Sequence, residues 1–96
     1  MRYRELPYLA GAYFHQDYDL DADTPPGVVR YFKESETVEV RDALIREVQD
    51  LMAEGLDDDN MYRRWVHEWG SCFYPGNLDI SWENWFQDVL EILNSP

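Results

Sequence analysis

Apolar residues recur along this chain at spacings of three and four, the period of an amphipathic helix, and no run shows the sustained alternation of a half-buried strand. Leu6, Leu9, Ala10, Tyr13 and Phe14 form the first stripe. Pro7 suits the first turn of that helix, where a missing N–H costs nothing. Gly11 weakens it by about 1 kcal/mol relative to alanine, and the aspartate-rich run starting at Asp17 ends it. A second helix is predicted after Thr24, a good N-cap followed by Pro25 and Pro26, with Val28, Val29 and Phe32 facing inward. A third follows Ser35 or Thr37 and runs to about Ala53, with Gly55 as its stop. Its stripe is Val40, Leu44, Val48, Leu51 and Met52. Arg41, Asp42, Arg46, Glu47 and Asp50 fall to its surface, Asp42 and Arg46 as an exposed pair four residues apart.

The fourth helix follows Asp57, Asp58 and Asp59, acids that suit the positive end of a helix dipole. Met61, Tyr62, Trp65, Val66 and Trp69 form its stripe, and Gly70 closes it. Residues 71–80 read as a loop with a turn at Pro75 and Gly76. Ser81 caps the last helix, whose stripe of Trp82, Trp85, Phe86, Val89, Leu90 and Leu93 is the most regular in the chain. The reading is an all-α bundle of about five short helices, one domain over residues 1–96.

Composition supports a packed core, since 45% of residues are hydrophobic and 16% aromatic, unlike a disordered acidic tail. Charge then narrows the partners. Twenty Asp and Glu oppose eight Lys and Arg, a formal net charge of −12, and no basic residue follows Arg64. Such a field repels phosphates and anionic lipid and attracts cationic proteins or metal ions, although acidity also serves solubility alone. The single cysteine, Cys72, allows neither an intrachain disulfide nor a multi-cysteine zinc site. No apolar stretch approaches the ~20 residues that cross a bilayer, and the opening MRYRELPYLAG has no secretory apolar segment, which predicts a cytoplasmic protein.

Candidate chemistry is sparse. The run Asp17-Tyr18-Asp19-Leu20-Asp21-Ala22-Asp23 resembles a calcium loop in acid content. An EF-hand needs Gly at position 6 and Glu at position 12. Starting at Asp17 those places hold Ala22 and Val28, and starting at Asp19 they hold Thr24 and Arg30, so both registers fail. The run reads equally as a solvated loop into the second helix or as an acidic contact surface for a cationic partner. His15 and His67 lack a neighbouring nucleophile motif, and nothing local lowers the thiol pKa of Cys72, so structural roles are expected for the histidines and no enzyme activity for the chain. The tryptophans lack the interleaved Lys and Arg of single-strand nucleic-acid binders and read as core. No metal or cofactor is expected.

The segment PYLAGAYFHQDYDLDADTPPGVVRYF, Pro7 to Phe32, resembles the N-terminal signature of contact-dependent growth inhibition (CDI) immunity proteins. Tyr8, Leu9, Tyr13, Phe14, His15, Gln16, Asp17, Tyr18 and Asp19 carry that pattern. Gly70-Ser71-Cys72-Phe73-Tyr74-Pro75 and the Trp-rich closing helix are similar to the family's end. The resemblance implies a helical cytoplasmic protein that binds the C-terminal toxin domain of a large secreted effector. Such toxins are often nucleases with a basic groove, which an acidic face can occlude by mimicking phosphates. The expected contacts are Asp19, Asp21, Asp23, Glu34 and Glu36, with Asp57, Asp58 and Asp59 as a second patch and Tyr18 and Tyr74 as aromatic anchors. The alternative reading is an acidic regulatory adaptor or nucleic-acid mimic that uses the same surface on another basic protein.

Overall fold

A computed structural model describes residues 3–95, without the side chain of Asp21. The first helix, α1 (Glu5–Tyr8), runs directly into a π-helical segment, π1 (Leu9–Tyr13), in which the Phe14 N–H donates to the Leu9 carbonyl five residues back at 3.1 Å. The Asp17–Asp23 stretch, predicted as loop, contains one helical turn, α2 (Tyr18–Asp21). The remaining helices start where their caps predict. The Thr24 hydroxyl accepts the Gly27 N–H to begin α3 (Pro25–Ser35), and Thr37 accepts the Val40 N–H to begin α4 (Val38–Ala53), both at 3.2 Å. Asp57 accepts the Asn60 N–H at 2.9 Å to begin α5 (Asp58–Tyr62), which continues as a second π-helical segment, π2 (Arg63–Glu68). After a 3-10 turn (Pro75–Leu78), Ser81 caps α6 (Trp82–Asn94). Gly55 and Gly70 take the left-handed φ values of 65° and 77° that stop the third and fourth predicted helices. Among the described residues every regular element is helical, so the all-α reading holds, with α2 added to the five expected helices.

The core is aromatic. Trp65, Trp85, Phe14, Phe32 and Phe86 are fully buried, and α4 supplies Leu44, Val48 and Leu51. Phe14 stacks on Phe73 with ring centroids 5.2 Å apart and meets the edges of Trp85 and Tyr18 at 5.7 and 5.6 Å. The Trp65 indole N–H donates to the Phe73 carbonyl at 2.8 Å, an acceptor that a buried ring of this kind needs. The Ser71 hydroxyl donates to the same carbonyl at 2.9 Å, and the Cys72 N–H donates to the Phe14 carbonyl at 2.8 Å. These bonds hold the irregular segment after Gly70 against the end of π1.

Two predictions on α4 are corrected. Glu47, expected on the surface, is 9% exposed. Its carboxylate accepts the backbone N–H groups of Arg4, Glu5 and Leu6, each at 2.9 Å, so it caps the N-terminus of α1 from across the core. The position lies three residues after Leu44 on the buried face, and free amides at a helix start give a carboxylate a reason to be there. Asp42 pairs with Arg41 at 3.6 Å rather than with Arg46, the partner its spacing predicts. At the other end of α4, Glu54 accepts from the Tyr3 hydroxyl and pairs with Arg64 at 3.0 Å, which fastens the N-terminal segment to π2.

Gly11, a weak residue for a helix, has a steric reason. A Cβ there would lie 2.8 Å from the Trp69 carbonyl oxygen, where the backbones of π1 and the end of π2 meet. Gly11→Ala should therefore destabilise the fold by about 1–3 kcal/mol, the usual cost of overpacking. Glu47→Ala should cost about 2–4 kcal/mol by orphaning buried amides. Urea denaturation of both variants checks these values; unchanged midpoints would show that the two contacts contribute nothing.

Candidate protein-binding surface

The predicted contact residues fall into three groups rather than one patch. The first surrounds α2. Asp19 and Asp23 are exposed there, Asp21 closes the turn with a side chain outside the described residues, and Tyr18 is half-buried against Phe14 and Phe73. Leu20, which the sequence reading passed over, is 81% exposed among these carboxylates. A large apolar side chain ringed by acids is the common build of a protein contact, an apolar centre with a polar rim.

The second group lies at the other end of α3, about 18 Å away for a helix of that length. Glu34 is exposed and borders an open groove of about 640 Å³ between α3, α4 and α6, where Arg30, Lys33 and Arg41 face Asp88 and Glu91. Glu36 is half-buried, and its Oε2 accepts the hydroxyls of Tyr8 at 2.9 Å and Tyr13 at 2.5 Å. Tyr8 and Tyr31 are 41% and 45% exposed, so this end of the molecule displays aromatic surface. Tyr31 was legible as an outward residue, because one step along a helix from the buried Phe32 turns a side chain by about 100°.

The third group is the start of α5. Asp57, Asp58 and Asp59 are exposed, Asp57 as the cap and the other two in the first turn, where the helix dipole offsets their mutual repulsion. Tyr74 is half-buried, with its ring 4.8 Å from Tyr62 and 5.7 Å from Trp82. Tyr18 and Tyr74 are thus partly packed into the fold, while Tyr8, Tyr31 and Leu20 are the freer apolar groups.

The residues considered for catalysis do not converge. The His15 ring nitrogen Nδ1 accepts the Asp17 N–H at 3.1 Å, a local loop contact. His67 is exposed with its ring against Tyr62, and Cys72 is an exposed free thiol. No group of three potential metal-ligating side chains occurs among the described residues, and none of their helices is long and apolar enough to cross a membrane.

Burial and hydrogen bonding set the titration of the Tyr–Glu end. Burial, then the bond to Glu36, pushes the Tyr13 hydroxyl well above the ordinary tyrosine range. The Glu36 bond, then burial, raises Tyr8. Both phenols therefore remain protonated donors at neutral pH. Burial first, then the nearby Glu47 carboxylate, raises the Glu5 carboxyl. A carboxyl raised by folding stabilises the fold while protonated, below its unfolded pKa, and that contribution is lost as pH rises through the folded value. Glu5→Gln should thus be slightly more stable than the parent at pH 7, by a few tenths of a kcal/mol after solvent screening. The advantage should vanish below about pH 4; thermal melts across that range check both the sign and the window.

The family profile described as CdiI immunity protein matches residues 2–93. A chain of the crystal structure of a CdiA-CT/CdiI complex from Y. kristensenii 33638 superposes with a TM-score of 0.89, covering 98% of this chain and 100% of its own at 26% identity. No curated protein sequence matches significantly.

Proposed function

Because the chain belongs to the CdiI immunity protein family, whose members bind toxins and are not enzymes, we propose that it neutralises a basic nuclease toxin domain at the C-terminus of a cognate CDI effector. The likeness to a chain of a CdiA-CT/CdiI complex supports a toxin domain as the partner. The observation that carries the nuclease reading is electrostatic. The chain has a net charge of −12, and its carboxylates at Asp19, Asp23, Asp57, Asp58 and Asp59 are exposed on helix starts fixed by the fold. A nuclease groove is built to attract phosphates, so a rigid acidic face competes for the same cations.

In this reading the chain acts in the cytoplasm of the producing cell as a stoichiometric binder. The acidic groups speed encounter, and the apolar and aromatic groups beside them hold the complex. Charge on the rim acts mainly on association, whereas buried anchors act on dissociation. Leu20, set among the α2 carboxylates, suits the second task, and Asp19 and Asp23 suit the first.

The test is association with the toxin domain encoded in the adjoining reading frame, followed by stopped-flow at low and high salt. Asp19→Lys combined with Asp23→Lys should slow association by about tenfold at low salt, with the difference shrinking as salt rises. Equal on-rates for parent and variant at both salt concentrations would remove the α2 patch from the interface. A nuclease assay on the toxin, with and without this chain, tests the activity it blocks.

A further inference from the structure

Three tyrosines from α1, π1 and α3 meet at the solvent-facing end of α3. The Tyr8 ring stands edge-on to Tyr13 at 5.5 Å and 87°, and Tyr13 stands edge-on to Tyr31 at 5.7 Å and 61°. Both Tyr8 and Tyr13 also pack on the buried Phe32, at 5.9 and 4.8 Å, which fixes the cluster to the core. The two phenols that reach Glu36 bond to the same oxygen, Oε2. Oε1 keeps its lone pairs, and no Lys or Arg among the described residues is paired with this carboxylate.

The arrangement does more than tie α1 to α3. Tyr31 makes no hydrogen bond to Glu36 and is the most exposed ring of the three, so the tie does not require it. What the trio offers is a set of π faces and one carboxylate oxygen, ordered before any partner arrives. A planar guanidinium fits those features together, stacking on an aromatic face while its N–H groups reach the carboxylate. A lysine ammonium, compact and strongly hydrated, uses them less well. The net charge of −12 selects a cationic partner on which arginines are presented.

We propose that Tyr8, Tyr13, Tyr31 and Glu36 form a receptor for an arginine side chain of the toxin, a second contact beyond the acidic α2 and α5 groups. The partner's identity as the toxin rests on the function proposed above; the chemistry of the site does not. Prior ordering of the rings lowers the entropy lost on binding, so the site acts on the lifetime of the complex more than on encounter.

Two arms separate these claims. In the first, surface plasmon resonance follows the full chain and the adjoining toxin domain. Tyr31→Ala and Tyr8→Ala should each weaken binding about tenfold or more, chiefly through dissociation. Gln87→Ala, an exposed change on α6, should match the parent. In the second, the ring NMR signals of Tyr8, Tyr13 and Tyr31 are followed during titration with a short arginine-glycine peptide and with its lysine counterpart. Saturable shifts with the arginine peptide, weaker with lysine and lost in Glu36→Gln and in Tyr31→Ala, support the receptor even if the toxin fails to bind. In that case the toxin reading alone falls. Tight toxin binding with parent-like dissociation in both tyrosine variants would overturn the inference, as would ring signals that no arginine peptide moves.

Discussion

The bond set around Glu47 decides how the N-terminal third of the molecule is placed. A helix of four residues has no stability of its own, because nucleation is unfavourable and too few hydrogen bonds follow it. In α1 the free amides at its start are satisfied by a carboxylate from the middle of α4. Burying that charge is costly unless hydrogen bonds and a favourable dipole compensate, and both are present. Once α1 is held there, π1 follows, and Phe14 enters the centre of the aromatic core among Phe73, Trp65 and Trp85. Tyr8 and Tyr13, at the ends of the same two segments, are brought to α3 by the same constraint.

Excess negative charge sets the second condition. Twelve uncompensated charges on a small globule repel one another, and the sequence places many of them where a helix dipole opposes the repulsion. Glu39, Asp58, Asp59 and Glu83 all occupy first turns, and no basic residue occupies the last turn of α4 or α6. The same placement gives the carboxylates fixed positions. A partner with a basic surface meets oriented charges on capped helices rather than a mobile acidic tail, and less ordering entropy is lost on contact.

The helical period and the caps were legible because they are local. Thr24, Thr37, Asp57 and Ser81 accept the amides three residues on that their side chains can reach, and Gly55 and Gly70 supply left-handed stops. The buried role of Glu47 was not legible, since its partners lie more than forty residues away and a charged residue within a stripe reads as surface. The turn at Tyr18–Asp21 was hidden by aspartates that favour loops, and it is packed in place by Tyr18 against Phe14 and Phe73. On the candidate surface, the acids could be named from the sequence but not grouped. Nor could Tyr8 and Tyr31 be told from core tyrosines before their elements were set side by side.

The two wide turns carry a consequence for how this chain tolerates change in length. Each π segment accommodates one residue more than an α-helix of the same rise, and each ends where the backbones meet at Gly11 and Trp69. Deleting a residue from either would restore ordinary helical geometry locally while swinging everything beyond it by about 100°. Phe14 or Trp69 would then leave the interior, so related chains can trade side chains here far more readily than they can lose a position.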